Sequence, residues 1–114
     1  MKSEEFTELP MTRHYLRIIT EDCSSDTEGA ILAFLRESIG CTALYAEPIQ
    51  PYWKNPGQGE MSVSFLSELS MEQIQAMLGD HWEGENTDIR WSRIHVPHAV
   101  FLWLCCETQQ ICNL

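Results

Sequence analysis

The chain has 114 residues, 44% of them hydrophobic, and its 17 Asp and Glu against 7 Lys and Arg give a formal net charge of -10. That length suits one domain with its own core, residues 1–114, and that apolar content excludes wholesale disorder. The negative field repels nucleic acid and anionic membrane surfaces and attracts basic partners, so it bears on recognition more than on fold.

The first eleven residues carry Glu4, Glu5 and Glu8 and reach Pro10, a composition that predicts a loosely docked arm over 1–11. Residues 12–20 contain Tyr15, Leu16, Ile18 and Ile19 and read as a strand. A helix follows, with Ser25 as the expected N-cap, Glu28 completing a capping box, Ile31, Phe34, Leu35 and Ile39 at helical spacing, and Gly40 as the stop. Residues 41–46 read as a second strand. Residues 60–65 read as a third, in which Met61, Val63 and Phe65 alternate with Ser62 and Ser64. Between them, Pro48, Pro51, Pro56, Gly57 and Gly59 predict an irregular hairpin loop carrying Tyr52 and Trp53, which either anchor an interface or fold back over the sheet.

Ser70 and Gln73 form a second capping box ahead of Ile74, Met77 and Leu78, with Leu69 placed to staple against Ile74 and Gly79 ending the helix. Residues 88–95 then alternate Ile89 and Trp91 with Arg90 and Ser92, and Val96-Pro97-His98-Ala99 makes a turn. Residues 100–106 are apolar on both faces, which suits the middle of a sheet, and 107–114 form a tail. The resulting order, strand-helix-strand-strand-helix-strand with an extra C-terminal strand, resembles the α+β ferredoxin-like two-layer sandwich, a fold that hosts many unrelated functions.

Chemical motifs are sparse. Five cysteines without repeated spacing argue against a disulfide framework and for a reducing, cytoplasmic setting, and the acidic start lacks the apolar stretch of a secretory signal. His95 and His98 stand near Cys105 and Cys106, but the spacing matches no known zinc pattern. Cys23 is crowded by Glu21, Asp22 and Asp26, which oppose a thiolate. Phosphate loops and basic stripes are missing, and although Tyr15 and Phe65 resemble the stacking aromatics of RNA-binding sandwiches, the field has the wrong sign. No catalytic constellation, cofactor or metal is therefore expected.

What remains is acid. Glu21, Asp22, Asp26 and Glu28 gather before the first helix, where Asp26 and Glu28 also complement the helix dipole, and Glu83, Glu85 and Asp88 gather in a loop with His81 and Trp82. A small, acidic domain of this character resembles the bacterial immunity proteins that neutralise polymorphic or contact-dependent growth inhibition toxins. That resemblance implies a one-to-one complex with a basic toxin domain, often a nuclease, whose phosphate-binding cations the acids occupy. Glu83, Glu85, Asp88, Glu21, Asp22, Asp26, Tyr52 and Trp53 are the expected partner-binding residues. A small-molecule-binding or regulatory sandwich that forms a homodimer through its sheet is the alternative.

Overall fold

A computed structural model describes residues 12–40, 44–83, 88–90 and 93–108; the expected arm over 1–11 and the end of the expected tail, 109–114, lie outside the described residues. The elements are β1 (Thr12–Thr20), α1 (Ser25–Ile39), β2 (Leu44–Ala46), β3 (Gln50–Tyr52), β4 (Asn55–Ser67), α2 (Met71–Leu78), β5 (Asp88–Arg90) and β6 (Ala99–Thr108). Their class is α+β, with two helices and one antiparallel sheet of order β2-β4-β1-β6-β5, to which β3 is added along β4.

Register divides the sheet into two unlike faces. Leu16 stands between Val63 and Leu104, and Ile18 between Met61 and Leu102, and all six are buried. Ile31 and Leu35 of α1 and Ile74 and Leu78 of α2 join the same core, so both helices cover this one face. Alternate residues, including Tyr15, Arg17 and Trp103, point to the other face, as the period of two in a strand demands. Tyr15 and Phe65, paired in the sequence reading as stacking aromatics, are thus on opposite faces: Phe65 is fully buried against His14.

The apolar β6 lies between β1 and β5, with Leu102 and Leu104 buried on the core face and Trp103 39% exposed on the other. It is this final strand, not the one before it, that flanks β1. Of the expected strand over 88–95, residues 88–90 form the outer strand β5, residues 91–92 lie outside the described residues, and residues 93–95 close over the end of α2. There Asp80 N–H donates to the Arg93 carbonyl and His95 N–H to the Leu78 carbonyl, both at 2.8 Å. Gly79 belongs to this closure: a β-carbon would run into the Arg93 carbonyl and the Ile89 side chain. β6 also continues through Glu107 and Thr108, opposite Arg13 and Thr12.

Caps explain the helix boundaries. For α2, Ser70 Oγ accepts from Gln73 N–H at 3.1 Å and Gln73 Oε1 accepts from Ser70 N–H at 2.8 Å, the expected reciprocal pair. For α1 the cap is Ser24, one residue earlier than Ser25, with Oγ accepting from Thr27 N–H at 3.1 Å. Asp22 moves the cap: its carboxylate accepts from Ser24 N–H at 3.0 Å and from the Thr27 hydroxyl at 2.8 Å, a local turn that orients Ser24. Glu28 is released from capping and instead accepts the Ile49 N–H at 3.0 Å. Gly40 ends α1 in the left-handed region, φ 73°.

The segment expected to be an irregular loop is a two-stranded ribbon. β3 pairs with the first part of β4 around the turn residues Trp53 and Lys54. Pro51 is tolerated because β3 is an outer strand, where a missing donor costs no ladder bond, and Pro56 precedes the part of β4 that pairs with β1, which begins at Gly59. Gly59 allows the ribbon to pass close to the α1 entry, since a β-carbon there would lie 2.7 Å from Ile49 Cδ1 and 2.8 Å from the Asp22 carbonyl.

Candidate functional site

The face of the sheet opposite the helices carries a groove of about 360 Å³. Its shape follows from side-chain size along two cross-strand rows. One row runs Tyr45, Ser64, Tyr15, Cys105 and the other runs Ser62, Arg17, Trp103. Glu47 joins the second row through its N–H, which donates to the Ser62 carbonyl at 2.9 Å. The small serines of β4 form a floor between taller neighbours on β2 and β1. Three large aromatics rise from it, with Tyr15 38%, Trp103 39% and Tyr45 66% exposed.

Charge on this face is arranged unevenly. Arg17 Nε donates to Glu60 Oε2 at 2.7 Å, and its guanidinium lies 5.8 Å from the centre of the Tyr52 ring. The bond to Glu60 holds the Arg17 pKa above its ordinary value. Arg17 is therefore a matched cation, whereas Glu47 is exposed at the groove's edge.

The expected partner-binding residues do not form one cluster. Glu21, Asp22 and Asp26 are exposed around the start of α1. Glu21 Oε1 lies 3.4 Å from His98 Nδ1, and Glu21 N–H donates to the His98 carbonyl at 2.8 Å. Asp22 spends its carboxylate on Ser24 and Thr27, and those hydrogen bonds lower its pKa. Tyr52 turns towards Arg17 on the open face, while Trp53, at the ribbon tip, is 73% exposed with Lys54 Nζ 5.2 Å from its ring centre. Covering the sheet and offering an exposed anchor are thus divided between two adjacent residues.

Glu83 is exposed after α2, and Asp88 begins β5 on the opposite edge of the sheet from the β3–β4 ribbon. Glu85 lies outside the described residues. Trp82, next to Glu83, is structural: its indole N–H donates to the Gln75 carbonyl at 3.0 Å and its ring packs on the core.

Sequence reasoning missed Tyr45, Glu47 and Trp103. A signal was present in the alternation of residues 60–65, where Ser62 and Ser64 fall out of phase with the core. Only strand order says which tall side chains flank them. Among the described residues no group of three or more His, Cys, Asp and Glu is placed to hold a metal ion. His95 Nε2 lies 3.4 Å from Asp80 Oδ2, and Cys106 Sγ lies 3.7 Å from Met71 Sδ, where burial raises its pKa. No helix among the described residues is long and apolar enough to cross a membrane. No protein-family model, curated protein or solved structure matches the chain.

Proposed function

We propose that this chain is an immunity-type binding protein that neutralises a basic toxin domain, a nuclease foremost, in a one-to-one complex in the bacterial cytoplasm, without catalysis of its own. The observation that carries the reading is the net charge of -10 on 114 residues, with Glu21, Asp26, Glu47, Asp80 and Glu83 all exposed. A nuclease presents cations to phosphate, so an acidic domain occupies the same surface and gains association rate by steering. The acids at the start of α1, the ribbon tip at Trp53 and the segment from Glu83 through Glu85 to Asp88 supply the outer contacts in this reading.

The finer assignment of the fold, a ferredoxin-like sandwich, belongs to the same proposal. It is supported by the antiparallel order β2-β4-β1-β6, with β5 as an addition at the edge.

Capture by a tagged copy in its native host tests the function. The expected partner is basic, is toxic when expressed alone, and is rendered harmless by co-expression of this chain. A captured partner that is acidic or harmless rejects the reading.

A second reading, the homodimeric or small-molecule-binding sandwich, is favoured by one observation, the aromatic groove on the open face. It predicts a concentration-dependent dimer in sedimentation equilibrium, where the immunity reading predicts a monomer until the partner is added.

A further inference from the structure

We propose that the slot between Tyr45 and Tyr15 receives a cationic side chain of the basic partner, arginine in preference to lysine. This rests on the basic-partner reading and assigns it a place and a chemistry. Tyr45 and Tyr15 stand on β2 and β1 with β4 between them, so their backbones are two strand spacings apart, about 10 Å. Ser64 lies between the two tyrosines in register and Ser62 one row along, and these short side chains leave a groove above them among the described residues. A volume of about 360 Å³ is too little for a docked helix and suits one or two long side chains.

The lining selects the charge of the guest. Aromatic faces attract cations through their quadrupole, and the planar guanidinium both stacks on rings and donates in a fork to a carboxylate. Glu47 supplies that carboxylate at the edge of the slot, and the hydroxyls of Ser62 and Ser64 accept further hydrogen bonds. Arg17, the cation within the lining, is matched by Glu60 at 2.7 Å and does not oppose entry with a free charge.

Other guests fit less well. A second copy of the chain brings another charge of -10 to the same face, and an anionic ligand meets the same field. A neutral apolar ligand would desolvate Glu47 and two serines without repaying them.

The test uses the isotope-labelled full chain, titrated with an octa-arginine peptide and, separately, an octa-lysine peptide, at low and physiological salt. The expected result is that the amide signals of Tyr45, Ser62 and Ser64 and the indole signal of Trp103 move first, with octa-arginine the tighter probe. Tyr45→Ala and Glu47→Gln each weaken binding about three- to tenfold. Glu37→Gln, an equal loss of charge on an exposed position of α1, changes it less than twofold. Tyr45 and Glu47 are both exposed, and a dispersed spectrum of each variant verifies that the fold is retained.

Shifts confined to the acids around the start of α1, with Tyr45→Ala binding as the parent does, overturn the slot and leave the basic-partner reading standing. Absence of any binding at low salt removes both. Self-association that Tyr45→Ala abolishes, without peptide shifts, assigns the face to a second copy and overturns the proposal.

Discussion

Arg17 of β1 and Glu60 of β4 meet diagonally across the open face, two residues out of register, with Nε donating to Oε2 at 2.7 Å. The pair neutralises a cation that would otherwise stand at the edge of an aromatic slot. Both side chains are partly exposed, so water screens their attraction and the contribution to stability is small. Glu60→Gln is expected to lower unfolding free energy by less than about 1 kcal/mol in urea denaturation. The same variant should weaken octa-arginine binding more than Glu37→Gln does, because it leaves Arg17 unmatched beside the guest; equal effects would place the guest elsewhere.

His14 connects pH to stability. It is fully buried, its ring stacks on Phe65 with centroids 5.3 Å apart, its Nε2 lies 3.4 Å from the Leu69 carbonyl, and its Nδ1 has no hydrogen-bond partner among the described residues. Burial lowers its pKa, the Leu69 carbonyl opposing in part. The unfolded chain then binds a proton more readily than the folded one, so stability is full above the ordinary imidazole value and falls as pH drops through about 6.5. One such proton sets a slope of at most about 1.4 kcal/mol per pH unit. Melting temperatures at pH 7.5, 6.5 and 5.5 should fall in that order, and His14→Leu should flatten the decline. The lowered Asp22 carboxyl acts in a separate window, contributing stability above about pH 3.9 that is lost on further acidification.

Two glycines should respond to alanine with opposite signs. Gly79 has extended backbone that any residue adopts, φ 171°, but a β-carbon there collides with the Arg93 backbone and Ile89, so Gly79→Ala should cost about 2 kcal/mol or more. Gly29 is exposed within α1 with nothing within 4 Å of an added β-carbon. Gly29→Ala should therefore stabilise the chain by about 0.5–1 kcal/mol through helix propensity. Chemical denaturation of the two variants reads both values.

Adjacent serines give a similar contrast at the start of α1. Ser24→Ala removes the acceptor of the Thr27 N–H and should cost about 1 kcal/mol, whereas Ser25→Ala, inside the first turn, should be close to neutral. Equal losses from the two variants in urea denaturation would place the cap elsewhere.

Local patterns identified much of this architecture. Ser70 and Gln73 mark the start of α2 because a capping box needs only three residues' reach, and Gly40 marks the end of α1 for a similarly local reason. The alternation of Met61, Val63 and Phe65 with Ser62 and Ser64 separates the faces of β4 before any neighbour is known. Ser24 displaces Ser25 as the cap because Asp22 supplies a competing turn. The ribbon over 50–60 was hidden by prolines whose cost depends on whether the strand has a neighbour on that side, which is a property of the sheet.

Charge, length, the two helices and the inward-facing residues of the long strands were thus determined by the order of amino acids alone, since propensity, capping and periodicity act over a few positions. The slot between Tyr45 and Tyr15, the matching of Arg17 by Glu60 and the separation of Asp88 from the β3–β4 ribbon were decided only by tertiary structure. These depend on which strands become neighbours. Strand pairing joins residues far apart in the chain, so no local pattern contains it.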